Sequence, residues 1–229
     1  MMTRAAFCLG LGLLSAGCAL VSKDDPTLLR YFSVDAARQR EHRVPLVAAG
    51  GLPLQLRMGR VTAASYLRDR IAFRSSNVEV GYYDDLRWTE KPEAYVRHDL
   101  ARALFEDEGV QEIVGGAGPI LDVDIDSFEE LRDAHAAVVQ LRWQLRDDAA
   151  VLLRRTVSVR RPLAGAPNAP SSQSALAEAL SQALDDAVDQ IVKAVVPRLS
   201  PSPDTTTNSP TSAGGAPVLA PAGRSGPST

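Results

Sequence analysis

Residues that usually carry chemistry are scarce in this chain of 229 residues. It has two cysteines, three histidines and 5% aromatic residues. Both cysteines, Cys8 and Cys18, lie near the start. The remainder therefore has no thiol for a disulfide framework or a Cys-based metal site. His42, His98 and His135 are scattered and form no HExxH or equivalent pairing. No Gly-x-Ser-x-Gly elbow exists. The glycines of "GGAGP", Gly115 to Pro119, lack the spacing of a dinucleotide fingerprint and precede a strand pattern instead of opening a helix. Neither sign of charge dominates: 25 basic residues face 28 acidic ones, and no basic stripe appears. That argues against a nucleic-acid partner. No apolar run reaches the roughly 20 residues a spanning helix needs. The expectation is a protein that is not an enzyme, with no catalytic residue, no metal site and no cofactor beyond a covalent lipid.

That lipid is expected at Cys18. Arg4 supplies a positive N-terminal region, Ala5 to Leu14 is nearly continuous apolar sequence, and Ser15, Ala16 and Gly17 are small. This order matches a secretory signal peptide. A small-residue cleavage site ending on Cys resembles a bacterial lipobox, Leu14-Ser15-Ala16-Gly17-Cys18. Residues 1–17 are then the signal peptide, and Cys18 is the lipid attachment site and first mature residue. The mature chain keeps 24 basic and 28 acidic residues, a net charge of −4. Acyl chains on Cys18, each contributing about 0.8 kcal/mol per buried methylene, would hold the protein at a membrane. Ala19 stands where an Asp would point to inner-membrane retention, which leans toward the outer membrane.

Composition divides the rest. Residues 18–27 read as a lipidated tether. Residues 197–229 are dominated by Pro, Ser, Thr, Gly and Ala without an aromatic residue, too apolar-poor to offset the entropy of ordering, and read as a disordered tail. One domain of ordinary size remains, residues 28–196.

Two helices are expected within it. Over 92–107, Val96, Leu100 and Leu104 repeat at spacing four, Pro92 suits the first turn and Gly109 the end. From Ser174 to Val196, residues Leu176, Leu180, Leu184, Val188, Ile191, Val192 and Val195 form one apolar stripe, with Asp185, Asp186, Asp189 and Lys193 off it. Pro197 stops it. Its acidic polar face fits packing on a sheet better than lying on a membrane. "AVVQLRWQL" and "VLLRRTVSVR" alternate around the turn Asp147–Ala150 and predict a hairpin. "PILDVDIDSF" turns Leu121, Val123 and Ile125 inward and Asp122, Asp124 and Asp126 outward. These aspartates begin like a calcium loop, but Ser127 replaces the turn glycine and Asp133 the terminal Glu, so a solvated strand face is expected. "RYFSV", "PLQLRMGRV", "RIAFR" and "NVEVGYY" are further short strands. Strands, helix, strands, helix implies an α+β fold, a mostly antiparallel sheet with two main helices packed on one face.

The stretch Tyr66 to Asp107 predicts two strands, a polar turn and a helix entry at Pro92, with Trp88 anchored under the first helical turn and Arg87 and Glu90 near the surface. The lipobox, "LLRYFSV", "YLRDRIAFR", "VEVGYYDDLRWTEKPEAYVRHDLARAL" with its Arg87-Trp88-Thr89-Glu90, "LDVDIDSFE" and the closing "ALAEALSQALDDAVDQI" occur in the order found in the ABC-type transport auxiliary lipoproteins. The chain resembles that family over nearly all of residues 14–195. Thr89 stands where Ala is commoner, and the Pro-rich tail is not part of the shared domain. The resemblance implies a non-catalytic, membrane-anchored subunit facing the periplasm in the cell envelope. Its partners would be an MCE-domain protein and the associated ABC transporter subunits of a lipid transport system, which leaves a homo-oligomer open. The Trp88 to Leu104 region is a conceivable docking surface, with burial in the core the favoured reading. The alternative function is a structural envelope lipoprotein serving outer-membrane assembly or the cell wall.

Overall fold

The computed structural model describes residues 28–34, 53–165 and 172–199. The expected signal peptide, the tether with Cys18, and the tail beyond residue 199 lie outside the described residues.

Three long strands form the frame: β6 (Ile120–Leu131), β7 (Ala136–Arg146) and β8 (Val151–Pro162), joined as an antiparallel meander. The predicted hairpin is β7–β8. Its turn is held by the Asp147 carboxylate, which accepts from the Ala149 and Ala150 N–H groups at 2.8 and 2.7 Å. These backbone donors hold the Asp147 carboxyl below its ordinary pKa.

The other edge of β6 is shared by two strands placed end to end. Strand β2 (Gln55–Ala63) runs parallel to Ile120–Ile125, and β3 (Arg70–Arg74) runs parallel to Glu129–Leu131. The handover falls where β6 shifts register between Ile125 and Ser127. Ala64 N–H donates to Ile125 O at 2.9 Å and the Tyr66 hydroxyl to Asp126 O at 3.0 Å, so the gap keeps its hydrogen bonds. Strand β4 (Val80–Trp88) then pairs antiparallel with β3, β1 (Arg30–Phe32) parallel with β4, and β5 (Gln111–Glu112) parallel with β2. The sheet is therefore mixed. Its parallel pairings are short and its longest ladders antiparallel, and the fold is α+β as expected.

Both helices pack on one face. In α2 (Ser172–Val195) every stripe residue is buried, from Leu176 at 2% exposure to Leu180, Leu184, Val188, Ile191 and Val195 at 0%. Each such side chain contributes about 2 kcal/mol relative to exposure. The helix runs on through a 3₁₀ turn, Val196–Arg198, to buried Leu199. Helix α1 (Pro92–Ala101) starts at Pro92 and widens into a π-helical segment, Arg102–Asp107. Gly109 ends it in the left-handed region at φ 66°, while Val110 N–H bonds back to Leu104 O at 3.0 Å. The facing side of the sheet supplies Leu121, Val123, Ile125, Val139, Leu141, Trp143 and Leu145, all at 1% exposure or less.

Candidate functional site

The residue the sequence singles out for chemistry, Cys18, lies outside the described residues, as does His42. His98 and His135 are not brought together. His98 Nδ1 is 3.5 Å from the Glu90 carboxylate on the surface, and His135 Nε2 is 3.2 Å from Gly165 O in the β6–β7 turn region. Among the described residues no group of three His, Cys, Asp or Glu side chains is placed to hold a metal ion.

Polar side chains instead concentrate on the helix-free face of the sheet. Alternation along β7 puts Gln140, Arg142 and Gln144 there, opposite Val139, Leu141 and Trp143. The expectation of a solvated aspartate row needs correction at Asp122. Its neighbours Asp124 and Asp126 are reached by Arg142 at 3.7 and 3.1 Å on an open surface. Asp122 is covered. Its carboxylate accepts from Arg146 Nε at 2.8 Å, from Arg60 N–H at 2.9 Å and from the Gln144 amide at 3.3 Å. Gly59 makes this possible, because a Cβ there would collide with Asp122 Oδ1. Burial alone would raise the Asp122 pKa, but the donors from Arg146, Arg60 and Gln144 outweigh it and hold the carboxyl below its ordinary value.

A cleft of about 310 Å³ opens at the other end of this face. Strands β3, β6, β7 and β8 supply Arg74, Ser127, Glu129, Gln140, Ser158 and Arg160. Glu129 has a side chain 1% exposed, and one carboxylate oxygen accepts from Arg74 Nε at 2.8 Å. The bond to Glu129 raises the Arg74 pKa further, and burial with the nearby Glu129 charge raises that of Tyr66. On the helix side, burial and a bond to Glu130 push the Tyr83 phenol up to about 12. Arg74 and Glu129 are 55 positions apart in the chain. Pattern reading missed the cleft because the long-range register of β3 on β6 creates it.

The signature stretch Arg87-Trp88-Thr89-Glu90 builds a corner. Trp88 is 3% exposed and meets Tyr95 and Phe128 edge to face, with centroids 6.1 and 5.5 Å apart. The Tyr95 hydroxyl lies 2.8 Å from Thr89 Oγ1, accepts from Glu90 N–H at 3.0 Å and donates to Phe32 O at 3.4 Å. Thr89 N–H also donates to Phe32 O, at 2.9 Å. One tyrosine thus ties α1 to β1 and to the end of β4. Arg87 is partly covered and points toward Asp69 at 3.7 Å. Trp88 and Leu104 are core residues, so burial holds over docking for that stretch.

The fold is shared with solved structures. A crystal structure from Xanthomonas campestris, described under the family model DUF330, aligns with a TM-score of 0.56 at 23% identity, covering 72% of this chain and 94% of that one. A crystal structure of an uncharacterized protein aligns with a TM-score of 0.54 at 15% identity, covering 73% and 99%. No curated protein matches the sequence. The family model for the ABC-type transport auxiliary lipoprotein component matches residues 34–192. That span holds β2 through β8, the Trp88 corner and most of α2. Such lipoproteins are components of the cell envelope associated with ABC-type transport. This chain belongs to the ABC-type transport auxiliary lipoprotein family.

Proposed function

We propose that this chain is a non-catalytic, lipid-anchored subunit that works beside an MCE-domain protein and the permease and ATPase of an ABC transporter, in the movement of lipids between two membranes. The match of the auxiliary-lipoprotein model over residues 34–192 carries the reading. The lipobox ending at Cys18 supports an acylated N-terminus, and Ala19 after it supports the outer membrane, with the domain facing the periplasm. The Trp88 corner supports a structural role for the signature residues over a chemical one, because they are spent on joining α1 to the sheet.

The test is crosslinking in intact cells followed by purification of the tagged full chain. The MCE-domain protein and the transporter subunits should co-purify. Recovery of outer-membrane assembly or cell-wall factors alone would replace this reading with a structural one. The anchor has a separate test. Replacing Cys18 by Ala should abolish labelling by radioactive palmitate, and a variant that still labels would refute the lipid site.

A further inference from the structure

The sheet treats its edges unequally. Strand β1 has three residues and β5 has two, and short edge strands offer little backbone to a stranger. Strand β8 has twelve residues and, among the described residues, pairs with β7 alone. Its one register shift is at the tip, opposite Leu145 and Arg146, and its single proline is the last residue, Pro162. In an antiparallel ladder alternate residues direct their N–H and C=O groups away from the partner strand. Among the described residues, a long row of such groups is therefore unpaired along β8.

The side chains of this edge are of one sign. Arg154, Arg155, Arg160 and Arg161 stand on β8, and no acidic residue does. Arg161 is paired with Asp186 of α2, and Arg154 donates to the Gln144 amide at 2.8 Å. Arg155 and Arg160 are exposed and have no acidic partner among the described residues. This pattern disfavours a second copy as the natural occupant. Two β8 strands paired antiparallel about Val157 would set Arg154 opposite Arg160, and pairing about Ser158 would set Arg155 opposite Arg161. Like charges directly opposite are destabilising. The same arrangement favours a strand with acidic residues at those positions, since backbone pairing supplies affinity and the facing side chains supply selectivity.

We infer that β8 is a strand-addition site that receives an extended acidic segment of a partner protein. Placing that partner on the transporter side rests on the function proposed above; the edge and its charge preference do not. The incoming strand extends the meander β6–β7–β8 by one, and its carboxylates meet Arg155 and Arg160, which have no acidic partner among the described residues.

The probe is a fluorescent twelve-residue peptide of Val and Thr, with a Glu pair toward each end to face the two arginine pairs. It is titrated against the full chain while amide hydrogen exchange is followed. Exchange along β8 should slow on binding. A peptide of the same charge with two central prolines cannot form a strand and should bind at least about tenfold more weakly, and so should the wild-type peptide to an Arg155→Glu/Arg160→Glu variant. Replacing by Lys only the two peptide Glu that face positions 155 and 160 should restore binding to that variant. Equal binding of the proline peptide, unchanged exchange on β8, or β8 protection that rises with protein concentration without peptide would each overturn the proposal. A second arm compares co-purification of the transporter subunits with the wild-type chain and with the Arg155→Glu/Arg160→Glu variant. Loss from both overturns the functional reading; retention by both overturns β8 as that partner's site.

Discussion

The two faces of β7 are held by different forces. Val139, Leu141, Trp143 and Leu145 lie under α2 at 0 to 1% exposure, while on the same strand Arg142 and Gln144 carry a polar network and Gln140 lines the cleft. A two-residue period puts both on one strand. The covered face is held by non-directional apolar burial, which any well-fitting side chain supplies. The open face is held by specific donor–acceptor pairs, and each depends on its partner. The first face should resist change in proportion to volume removed. The second should respond according to how far each pair is buried.

Four measurements can break or sharpen that contrast. The largest effect is expected on the covered face. Leu184→Ala in α2 removes a side chain with 0% exposure and should cost about 2–5 kcal/mol in urea unfolding. A cost below about 1 kcal/mol would mean that α2 does not pack as described. Next comes the most buried pair on the open face. Arg74→Ala leaves the Glu129 carboxylate enclosed without its cation and should cost about 3 kcal/mol. The double variant Arg74→Ala/Glu129→Gln should recover most of that loss, because no buried charge remains. If both variants are equally unstable, the ion pair is not the cause.

A smaller effect is expected from acid. The folded-state pKa of Asp122 lies below its unfolded value of about 3.8, so its contribution is fully present above that value. The contribution is lost as pH falls through the lower, folded-state pKa. The stability gap between wild type and Asp122→Asn should therefore be constant near neutral pH and close below about pH 4. A gap that does not change with pH would assign Asp122 a packing role alone. The smallest effect is expected at Arg142, whose side chain is 52% exposed beside Asp124 and Asp126. Arg142→Ala should cost no more than about 0.5 kcal/mol and even less at high salt. A loss comparable with that of Arg74→Ala would show that exposure does not rank the pairs on this face.

Much of the architecture was legible before folding. The strand quotations, the helix at 92–107 and the α2 stripe all name elements that form, because alternation and 3.6-residue periodicity are local properties. The end of α1 was legible too, since only glycine adopts the φ of 66° at position 109 without strain. Asp122 was not. Nothing near it in the chain announces Gly59, Arg60 or Arg146, and the register of β2 on β6 and of β7 on β6 supplies all three. The cleft at Arg74 and Glu129 was hidden for the same reason. The Trp88 motif was visible as a likeness, but its work as a corner is apparent only through the Tyr95 hydroxyl.

By itself, then, the sequence determined the parts: the cysteine-free stretch after Cys18, which segments are strand or helix, and which side of each is apolar; the lipobox at Cys18 is the address it proposes. These follow from short-range order in hydrophobicity, small residues and turn formers. Tertiary structure alone decided that β2 and β3 lie end to end along β6, which arginine meets which acid, and that β8 is the long edge strand among the described residues. Those outcomes depend on pairing between residues tens of positions apart, where many registers satisfy the local pattern and burial of the whole core selects one.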